Sequence, residues 1–401
     1  MKHISIVGIG MSMDTVTQAS MQAIHHSDVL IGAPRILEVF ASLQKPSYSA
    51  YAPDKVTEFI AGSERARFAV LVSGDTGFYS AAEGIAAALA DFDVALFPGV
   101  SSLSYFFARM KRPWQDAKLL SCHGRYTNLV DAVRRNRLTF ALTSGNTDEL
   151  AARLTVSGFG HLTVCVGENL GAPNERIFSL PVSELRDTSV GQVSVLLIEN
   201  SDFDDRVRFG ISDDEFKRGG TPMTKSEVRA IMLAKLALRP GDICCDIGAG
   251  TGSVTVEMAL SAHEGRVFAV EKDENSLGLV KQNCRVFRLG NVTCVSGIAP
   301  DALHPLPRLD AAFIGGSSGR MHDIVSALIH NNPAIRIVAN AVALESAVAA
   351  MHAFTQNGIA PDMVQIGCAR AKSVGGLHMM TAQNPVFIIS GCRTDAGVVR
   401  L

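Results

Sequence analysis

A glycine-rich turn between residues 244 and 259 limits what this chain can fold into more than any other stretch. Its sequence, CCDIGAGTGSVTVEMA, places three glycines on alternate positions between an apolar, strand-like run and an apolar, helix-like run. Such a turn lets a ligand approach backbone N–H groups without meeting a Cβ atom, and the helix that follows adds its unpaired N-terminal donors. The pattern therefore predicts a strand, a turn and a helix that together bind a small molecule.

The spacing of these glycines distinguishes between classes of ligand. They alternate over residues 248–252, whereas a dinucleotide fingerprint needs a further glycine where Ser253 stands. Asp246 precedes the first glycine and Glu271 closes the next strand, which is the arrangement of a carboxylate that holds ribose hydroxyl groups. Because there is no sign of a pyrophosphate site, the pattern favours S-adenosylmethionine. The alternative is a tight strand-to-helix turn that binds nothing.

The composition indicates a globular enzyme with a small substrate. The 401 residues are 47% apolar and 19% charged, which suits about two or three packed domains. A formal net charge of −2 gives no electrostatic basis for binding nucleic acid or an anionic membrane surface. No apolar run approaches the roughly 18 residues that span a membrane, and glycines break the N-terminal run at once. The eight cysteines contain no CxxC pair, so we expect reduced core residues, no metal site and a cytoplasmic location.

The chain divides into two parts with different patterns. Strands alternate with helices in the N-terminal part, which predicts a parallel sheet, and from HLTVCVGENLG onward closely spaced strands indicate a second subdomain with more antiparallel pairing. Residues 202–221 lose apolar periodicity, so we interpret them as a linker between domains at 1–201 and 222–401. The second domain opens on a helix, with Thr224 and Glu227 in capping-box spacing, and closes on two strands, DMVQIGCARA and NPVFIISG. The chain contains no internal repeat, so the two domains should differ in fold.

Four motifs of the second part carry a family resemblance over residues 212–395. PMTKSEVRA, DIGAGTGSVTVEMA, GIAPDAL and FIGGSSGRMHDI, in that order, resemble the CbiT family of decarboxylating precorrin methyltransferases, which have the class I Rossmann fold. Most class I enzymes carry an acidic residue where Ile298 and Ala299 stand, so backbone groups should hold the adenine here. The expected cofactor contacts are Thr224, Asp246, Gly248, Ala249, Gly250, Thr251, Gly252, Glu271 and Ala299.

The first part resembles a different family. VGIGM, SGDTGFYS, PGVSSLSYFFARM and SCHGR are similar to the tetrapyrrole methylase family, in its CbiE branch. Those enzymes bind S-adenosylmethionine in a cleft between two α/β subdomains, so the resemblance implies two cofactor molecules per chain. The expected contacts are Gly74, Asp75, Ser101 and Ser102; alternatively, Asp75 forms a turn and the serines cap a helix. The fold class is thus α/β, a tetrapyrrole methylase fold of two α/β subdomains followed by a class I Rossmann-like methyltransferase domain.

Fused in this order, the halves resemble the bifunctional precorrin methyltransferases of cobalamin biosynthesis. The resemblance implies methylation of a precorrin at carbons 5 and 15 with loss of the ring C acetate, from precorrin-6B to precorrin-8. Both a cobalt-containing and a cobalt-free macrocycle would fit. A substrate with many carboxylates calls for several cations, and decarboxylation calls for a proton donor. The expected substrate contacts are Lys225, Gly315, Gly316, Arg320 and Arg370, the candidate proton donors are His322 and His378, and weaker carboxylate contacts are His123 and Arg125. Each of these charged side chains could instead be an ordinary surface group.

Two other functions compete with this interpretation. Both folds also occur in RNA-modifying methyltransferases, but RRNR at 134–137 is the only basic cluster and has no interleaved aromatic residues. A tetrapyrrole carrier with inactive methylase halves is the non-enzymatic alternative, and the intact glycine loop with Glu271 argues against it. We therefore expect an enzyme with a precorrin substrate that does not bind nucleic acid or a membrane, and that forms a homo-oligomer.

Overall fold

A computed structural model describes residues 2–123 and 126–393, which form two compact units. The first unit comprises residues 2–123, 137–149 and 162–200, and the second comprises residues 126–136, 150–161 and 201–393. The strands are β1 (His3–Gly8), β2 (Val29–Gly32), β3 (Ser47–Ser49), β4 (Arg67–Val72), β5 (Asp93–Phe97), β6 (Ala117–Ser121), β7 (Leu138–Thr143), β8 (Thr163–Glu168), β9 (Arg176–Pro181), β10 (Ser194–Glu199), β11 (Ile243–Ile247), β12 (Arg266–Glu271), β13 (Val292–Ser296), β14 (Ala311–Ile314), β15 (Arg336–Ala341), β16 (Asp362–Ile366), β17 (Ala369–Val374), β18 (Leu377–Ala382) and β19 (Val386–Cys392).

Helices connect most of these strands. The helices are α1 (Gln18–His26), α2 (Pro34–Val39), α3 (Pro53–Gly62), α4 (Ala82–Ala88), α5 (Ser102–Arg109), α6 (Leu129–Arg135), α7 (Thr147–Val156), α8 (Val182–Leu185), α9 (Ser226–Leu236), α10 (Ser253–Ser261), α11 (Glu274–Val286), α12 (Met321–Asn331) and α13 (Leu344–Gln356). In the described part of the chain, none of them combines the length and apolar character that crossing a membrane would take.

The first unit contains two five-stranded sheets. The order β3-β2-β4-β1-β5 is parallel throughout, as the alternation of strands and helices predicts. In the second sheet, β6-β7-β10-β8-β9, only the β6–β7 pair is parallel, which confirms the expected antiparallel subdomain. Glycine-rich turns after β1, β4 and β5 meet at one edge of the parallel sheet. A Cβ atom at Gly99 would lie 2.2 Å from the carbonyl oxygen of Gly74, so only glycine fits there.

The second unit contains a seven-stranded sheet with the order β13-β12-β11-β14-β15-β19-β16. Strands β11 to β15 pair in parallel, and β19 pairs antiparallel with both β15 and β16, which confirms the two expected terminal strands. Apolar residues cover both faces of this sheet: Leu328 and Phe354 belong to one cluster, and Met232 and Met258 belong to the other. A hairpin of β17 and β18, which the sequence analysis did not predict, interrupts the chain between β16 and β19.

The predicted capping box at the start of α9 is wrong. The helix begins at Ser226, and its N-cap residue, Lys225, makes no side-chain cap. Instead of reaching back along the helix, the Glu227 carboxylate accepts hydrogen bonds from the guanidinium of Arg370 at 3.0 and 2.7 Å. This partner lowers the pKa of Glu227 to about 2. The spacing of Thr224 and Glu227 imitates a capping box, but an arginine distant in sequence takes the carboxylate.

Part of the segment expected to be a linker packs into the core of the second unit. Ile211 and Phe216 are buried there, and Asp213 is 4% exposed. They surround the fully buried Arg229, which donates to Asp213 Oδ1 at 2.9 Å and to Glu257 Oε1 at 2.7 Å. The ring of Phe216 lies 4.8 Å from the guanidinium carbon. A buried arginine needs such partners, and this requirement explains why residues of low apolar content are ordered here.

Candidate active sites

The second unit has a cavity of about 680 Å³ at the carboxyl ends of its parallel strands, where open α/β sheets bind their ligands. Six segments contribute to its walls: the segment before α9, the turns after β11, β14 and β15, the end of β16 and the segment before β19. The polar side chains in its lining are those of Thr224, Lys225, Asp246, Thr251, Ser253, Ser317, Asn340, Ser346, Gln383 and Asn384. The lining also includes Gly248, Ala249, Gly250, Gly315 and Gly316.

The glycine turn after β11 brings two backbones into close contact. Gly248 has a φ of 74°, in the left-handed region that favours glycine, and a Cβ atom there would lie 2.8 Å from the backbone nitrogen of Gly316. Gly252 has a φ of 78° and packs against Val280, outside the cavity lining. The first glycine of the loop therefore shapes the cavity, whereas the last one serves packing.

Glu271 and Ala299, two of the expected cofactor contacts, also lie outside this lining. The Glu271 carboxylate accepts hydrogen bonds from the backbone N–H groups of Gly250 at 3.0 Å, Lys272 at 2.8 Å and Asp273 at 3.1 Å. It thus ties the end of β12 to the glycine turn. Ala299 is buried at 5% exposure. Of the expected contacts, the structure brings Thr224, Asp246, Gly248, Ala249, Gly250 and Thr251 together at one cavity.

Asp246 is an unusual carboxyl group in this lining. It lies one residue before the end of β11 and is fully buried, and its Oδ2 atom accepts a hydrogen bond from the Thr255 hydroxyl at 2.5 Å. Its Oδ1 atom has no hydrogen-bond partner among the described residues. Burial raises the pKa of Asp246 to about 7, and the nearby charge of Glu271 adds to the effect. The cavity therefore contains a polar atom suited to a ligand that carries a donor or a positive charge.

The expected substrate residues separate into two groups. Lys225, Gly315 and Gly316 line the cavity, and the Lys225 ammonium lies 3.7 Å from Asp213 Oδ2. The other candidates, Arg320, Arg370, His322 and His378, lie outside the lining. Arg320 donates to Asp301 at 2.8 Å, and the exposed β18 carries His378. His322 is exposed beside Asp323.

Sequence analysis missed several polar side chains of the lining, chiefly Asn340, Ser346, Gln383 and Asn384. Asn340 lies near the carboxyl end of β15, and Gln383 and Asn384 precede β19, which is antiparallel to β15. The end of the strand pattern IRIVANA was the one available signal, because ligands collect at that edge of a parallel sheet. Nothing in the local sequence marks residues 383 and 384.

The first unit has a cavity of about 300 Å³ between its two sheets. Among its lining residues are Gly74, Asp75, Ser102 and His123. Asp75 accepts hydrogen bonds from the backbone N–H groups of Gly77 at 2.8 Å and Gly99 at 3.1 Å, so it holds two turns together at the rim of the cavity.

Helix α5 begins beside this cavity. Ser101 is its N-cap residue, and its hydroxyl accepts a hydrogen bond from the Ser104 N–H at 3.0 Å, as the capping alternative expects. Ser101 does not belong to the cavity lining, whereas Ser102 does. Arg125, a weaker substrate candidate, lies outside the described residues.

Two protein families match the chain, one for each half. The family described as "Tetrapyrrole (Corrin/Porphyrin) Methylases" matches residues 3–186. The family described as "Precorrin methyltransferase domain" matches residues 214–393.

Relatives match either the whole chain or its second half. A "Precorrin-6Y C(5,15)-methyltransferase (decarboxylating)" from a Sinorhizobium species is 31% identical over 399 residues, covering 96% of this chain and 94% of the relative. A "Probable cobalt-precorrin-6B C(15)-methyltransferase (decarboxylating)" from Pyrobaculum calidifontis is 44% identical over 184 residues, covering 45% of this chain and 94% of the relative. A crystal structure of precorrin-6Y C5,15-methyltransferase from Geobacter metallireducens is 36% identical, with a TM-score of 0.44, and covers 46% of this chain and 97% of that chain. With a full-length relative and a family match in each half, this chain belongs to the precorrin-6Y C5,15-methyltransferase (decarboxylating) family, and it is an S-adenosylmethionine-dependent precorrin methyltransferase.

Proposed function

We propose that this chain methylates a precorrin at carbons 5 and 15 and removes the ring C acetate as carbon dioxide, using one S-adenosylmethionine site in each half. The observation that carries the proposal is the presence of a separate glycine-walled cavity in each unit, at about 680 Å³ and about 300 Å³. Pockets of this size bind small molecules and cofactors. Two sites of the same chemistry suit an enzyme that adds two methyl groups to one substrate.

The residues of the second cavity fit S-adenosylmethionine. The closely packed turns at Gly248 and Gly316 leave no side chain between a ligand and the backbone, and the unpartnered Oδ1 atom of Asp246 suits the positive charge of the cofactor. Thr224 and the backbone at Gly250 and Thr251 complete the proposed contacts. The cofactor supplies an electrophilic methyl group, and the chain contributes chiefly by holding the reactants in line.

The first cavity is the proposed second cofactor site. Gly74 has a φ of 71°, and its N–H and carbonyl groups bond to the backbone of Gly10 at 2.9 and 3.1 Å, which fixes the turn after β4. Gly74, Asp75 and Ser102 face the same cavity. We assign Ser101 to helix capping and the other three to the cofactor.

Loss of the acetate needs an environment in which a carboxylate is poorly solvated and a macrocycle that accepts the electron pair. Lys225, Gly315 and Gly316 are the proposed substrate contacts, because they lie in the same lining as the cofactor residues. We assign no step to Arg320, Arg370, His322 or His378, since all four lie outside that lining.

We also propose that the chain forms a homo-oligomer through the β17–β18 hairpin. Leu377, Met379 and Met380 on this hairpin are 73%, 59% and 67% exposed, and contiguous apolar surface of this kind is typical of an interface.

The cysteines and the net charge support the proposed location and substrate class. All eight cysteines carry free thiols, which suits the reducing cytoplasm. The net charge of −2 supports a function without nucleic acid.

The test is mass spectrometry of the product formed from precorrin-6B and S-adenosylmethionine. We expect a product with two added methyl groups and one carbon dioxide fewer. An unchanged macrocycle, together with methyl groups transferred to RNA in a parallel reaction, would contradict the proposal.

A further inference from the structure

The larger cavity has few charged side chains, although the proposed substrate carries many carboxylates. Among the described residues that line it, Lys225 and Asp246 are the only charged side chains. The Lys225 side chain is 41% exposed and already lies 3.7 Å from Asp213, so it stands at the rim rather than inside. The other polar groups of the lining are amides and hydroxyls, most notably the amides of Asn340 and Gln383, which are half-buried, and of Asn384, which is exposed.

These three amides lie along the sheet edge away from the glycine turn after β11. Along the sheet edge, the order β11-β14-β15-β19 places β15 two strands from the glycine turn and β19 three strands from it. Neighbouring strands are about 4.8 Å apart, so Asn340 stands roughly 10 Å from that turn along the edge. Strand β19 begins beside the end of β15, where Phe387 pairs with Ala341. Residues 383 and 384, which precede β19, therefore lie near Asn340.

The amide groups are free to bind a ligand. In residues 2–123 and 126–393, the side chains of Asn340, Gln383 and Asn384 make no hydrogen bond, although the Gln383 backbone N–H donates to the Cys368 carbonyl at 2.9 Å. Each amide offers two N–H donors, which is what a carboxylate accepts. Three such groups in one cavity wall can orient a carboxylate without neutralising its charge.

We propose that Asn340, Gln383 and Asn384 form a neutral amide subsite that binds the acetate carboxylate that the enzyme removes. This inference rests on the proposed function. In the reaction the bond between the methylene carbon and the carboxylate carbon breaks, and its electron pair enters the conjugated macrocycle. Carbon dioxide leaves as a neutral molecule, and a proton from water joins the methylene carbon to give a methyl group.

The movement of negative charge during decarboxylation explains why the subsite is neutral. The negative charge leaves the carboxylate in the transition state, so a cation at this position would stabilise the starting carboxylate more than the transition state. Amide donors in a partly desolvated wall hold the group in place and solvate it less well than water does. Lys225 at the rim is then available for another carboxylate of the macrocycle.

The test uses Gln383→Lys and Asn340→Asp, with Gln356→Lys on the exposed side of α13 as the matched control. For Gln383→Lys we expect a lower KM for the precorrin together with a kcat for carbon dioxide release that is lower by about tenfold or more. For Asn340→Asp we expect release to fall by a similar factor through repulsion, at an unchanged affinity for S-adenosylhomocysteine. The control should match the native protein in KM, kcat and melting temperature.

A lower KM together with a lower kcat, at an unchanged melting temperature and cofactor affinity, identifies a role in substrate binding. A purely structural role would change the melting temperature and the cofactor affinity as well. Native kcat in Gln383→Lys, or native carbon dioxide release by a folded Asn340→Asp variant, would overturn the subsite and leave the proposed function intact. If the native protein itself released no carbon dioxide from precorrin-6B, the proposed function would fail, and the subsite with it.

Discussion

Replacing Asp246 by Asn should make the second unit more stable at alkaline pH while weakening its cofactor site. Burial raises the pKa of this carboxyl group from its ordinary value of 3.8 to about 7. Below about pH 4 both the folded and the unfolded chain hold the proton, so folding has no ionisation cost. Between about pH 4 and pH 7 the unfolded chain releases the proton and the folded chain keeps it, so stability falls as pH rises.

The magnitude follows from the difference between the two pKa values. Each pKa unit corresponds to about 1.4 kcal/mol, so the full loss above about pH 7 is roughly 4 kcal/mol for this fully buried group. An Asn side chain keeps the Thr255 hydroxyl as a neighbour and does not ionise. The stability difference between variant and native protein should therefore widen by about 2–3 kcal/mol from about pH 5 to about pH 8.

Urea unfolding followed by circular dichroism at the two pH values measures this difference. Asp91→Asn, at an exposed position, is the matched control and should show no widening. A difference for Asp246→Asn that stays constant with pH would refute the assignment of a buried, protonated carboxyl group. In calorimetry at about pH 8, where the Asp246 carboxylate is ionised, the same variant should bind S-adenosylmethionine about 1.5–3 kcal/mol more weakly, because the cofactor loses a charged partner.

Two further substitutions test the roles of individual residues. A Cβ atom at Gly316 would have its nearest neighbour, the Cα atom of Gly248, at 4.0 Å, so Gly316→Val should fold and bind cofactor but exclude the macrocycle. Its product should carry one methyl group and keep the acetate, as mass spectrometry would show; normal decarboxylation would contradict the prediction. Ser101→Ala removes the cap of α5 and should destabilise the first unit by about 1 kcal/mol in thermal unfolding while leaving cofactor affinity unchanged. Loss of cofactor binding in that variant would assign Ser101 to the site.

Features that depend on neighbours in sequence could be predicted. The glycine turn at 248–252, the serine cap of α5 and the alternation of strands with helices all depend on a few adjacent residues, and the structure contains each of them. The edge of the sheet where ligands collect follows from the same local order, because parallel strands place their carboxyl ends together. These local rules were enough to predict that Thr224, Asp246 and Gly315 lie at one cavity.

Features that depend on distant partners could not be predicted. Glu227 has capping-box spacing, yet Arg370, which is 143 residues away, takes its carboxylate. Arg320 looks like a substrate cation in the sequence, but Asp301 pairs with it outside the cavity. The amides before β19 reach the lining only because β19 is antiparallel to β15, and no local pattern specifies that neighbour. Long-range pairing therefore decides which polar groups are free for a ligand.

The central claim, that one chain holds two cofactor sites, is tested most directly by calorimetric titration with S-adenosylhomocysteine. We expect two equivalents to bind per native chain. Gly248→Ala, which forces a Cβ atom to within 2.8 Å of the Gly316 nitrogen at a φ of 74°, should reduce this to one equivalent, because the cavity of the first unit contains neither glycine. Binding of a single equivalent by the native chain, or of none by the variant while its first unit stays folded, would contradict the account.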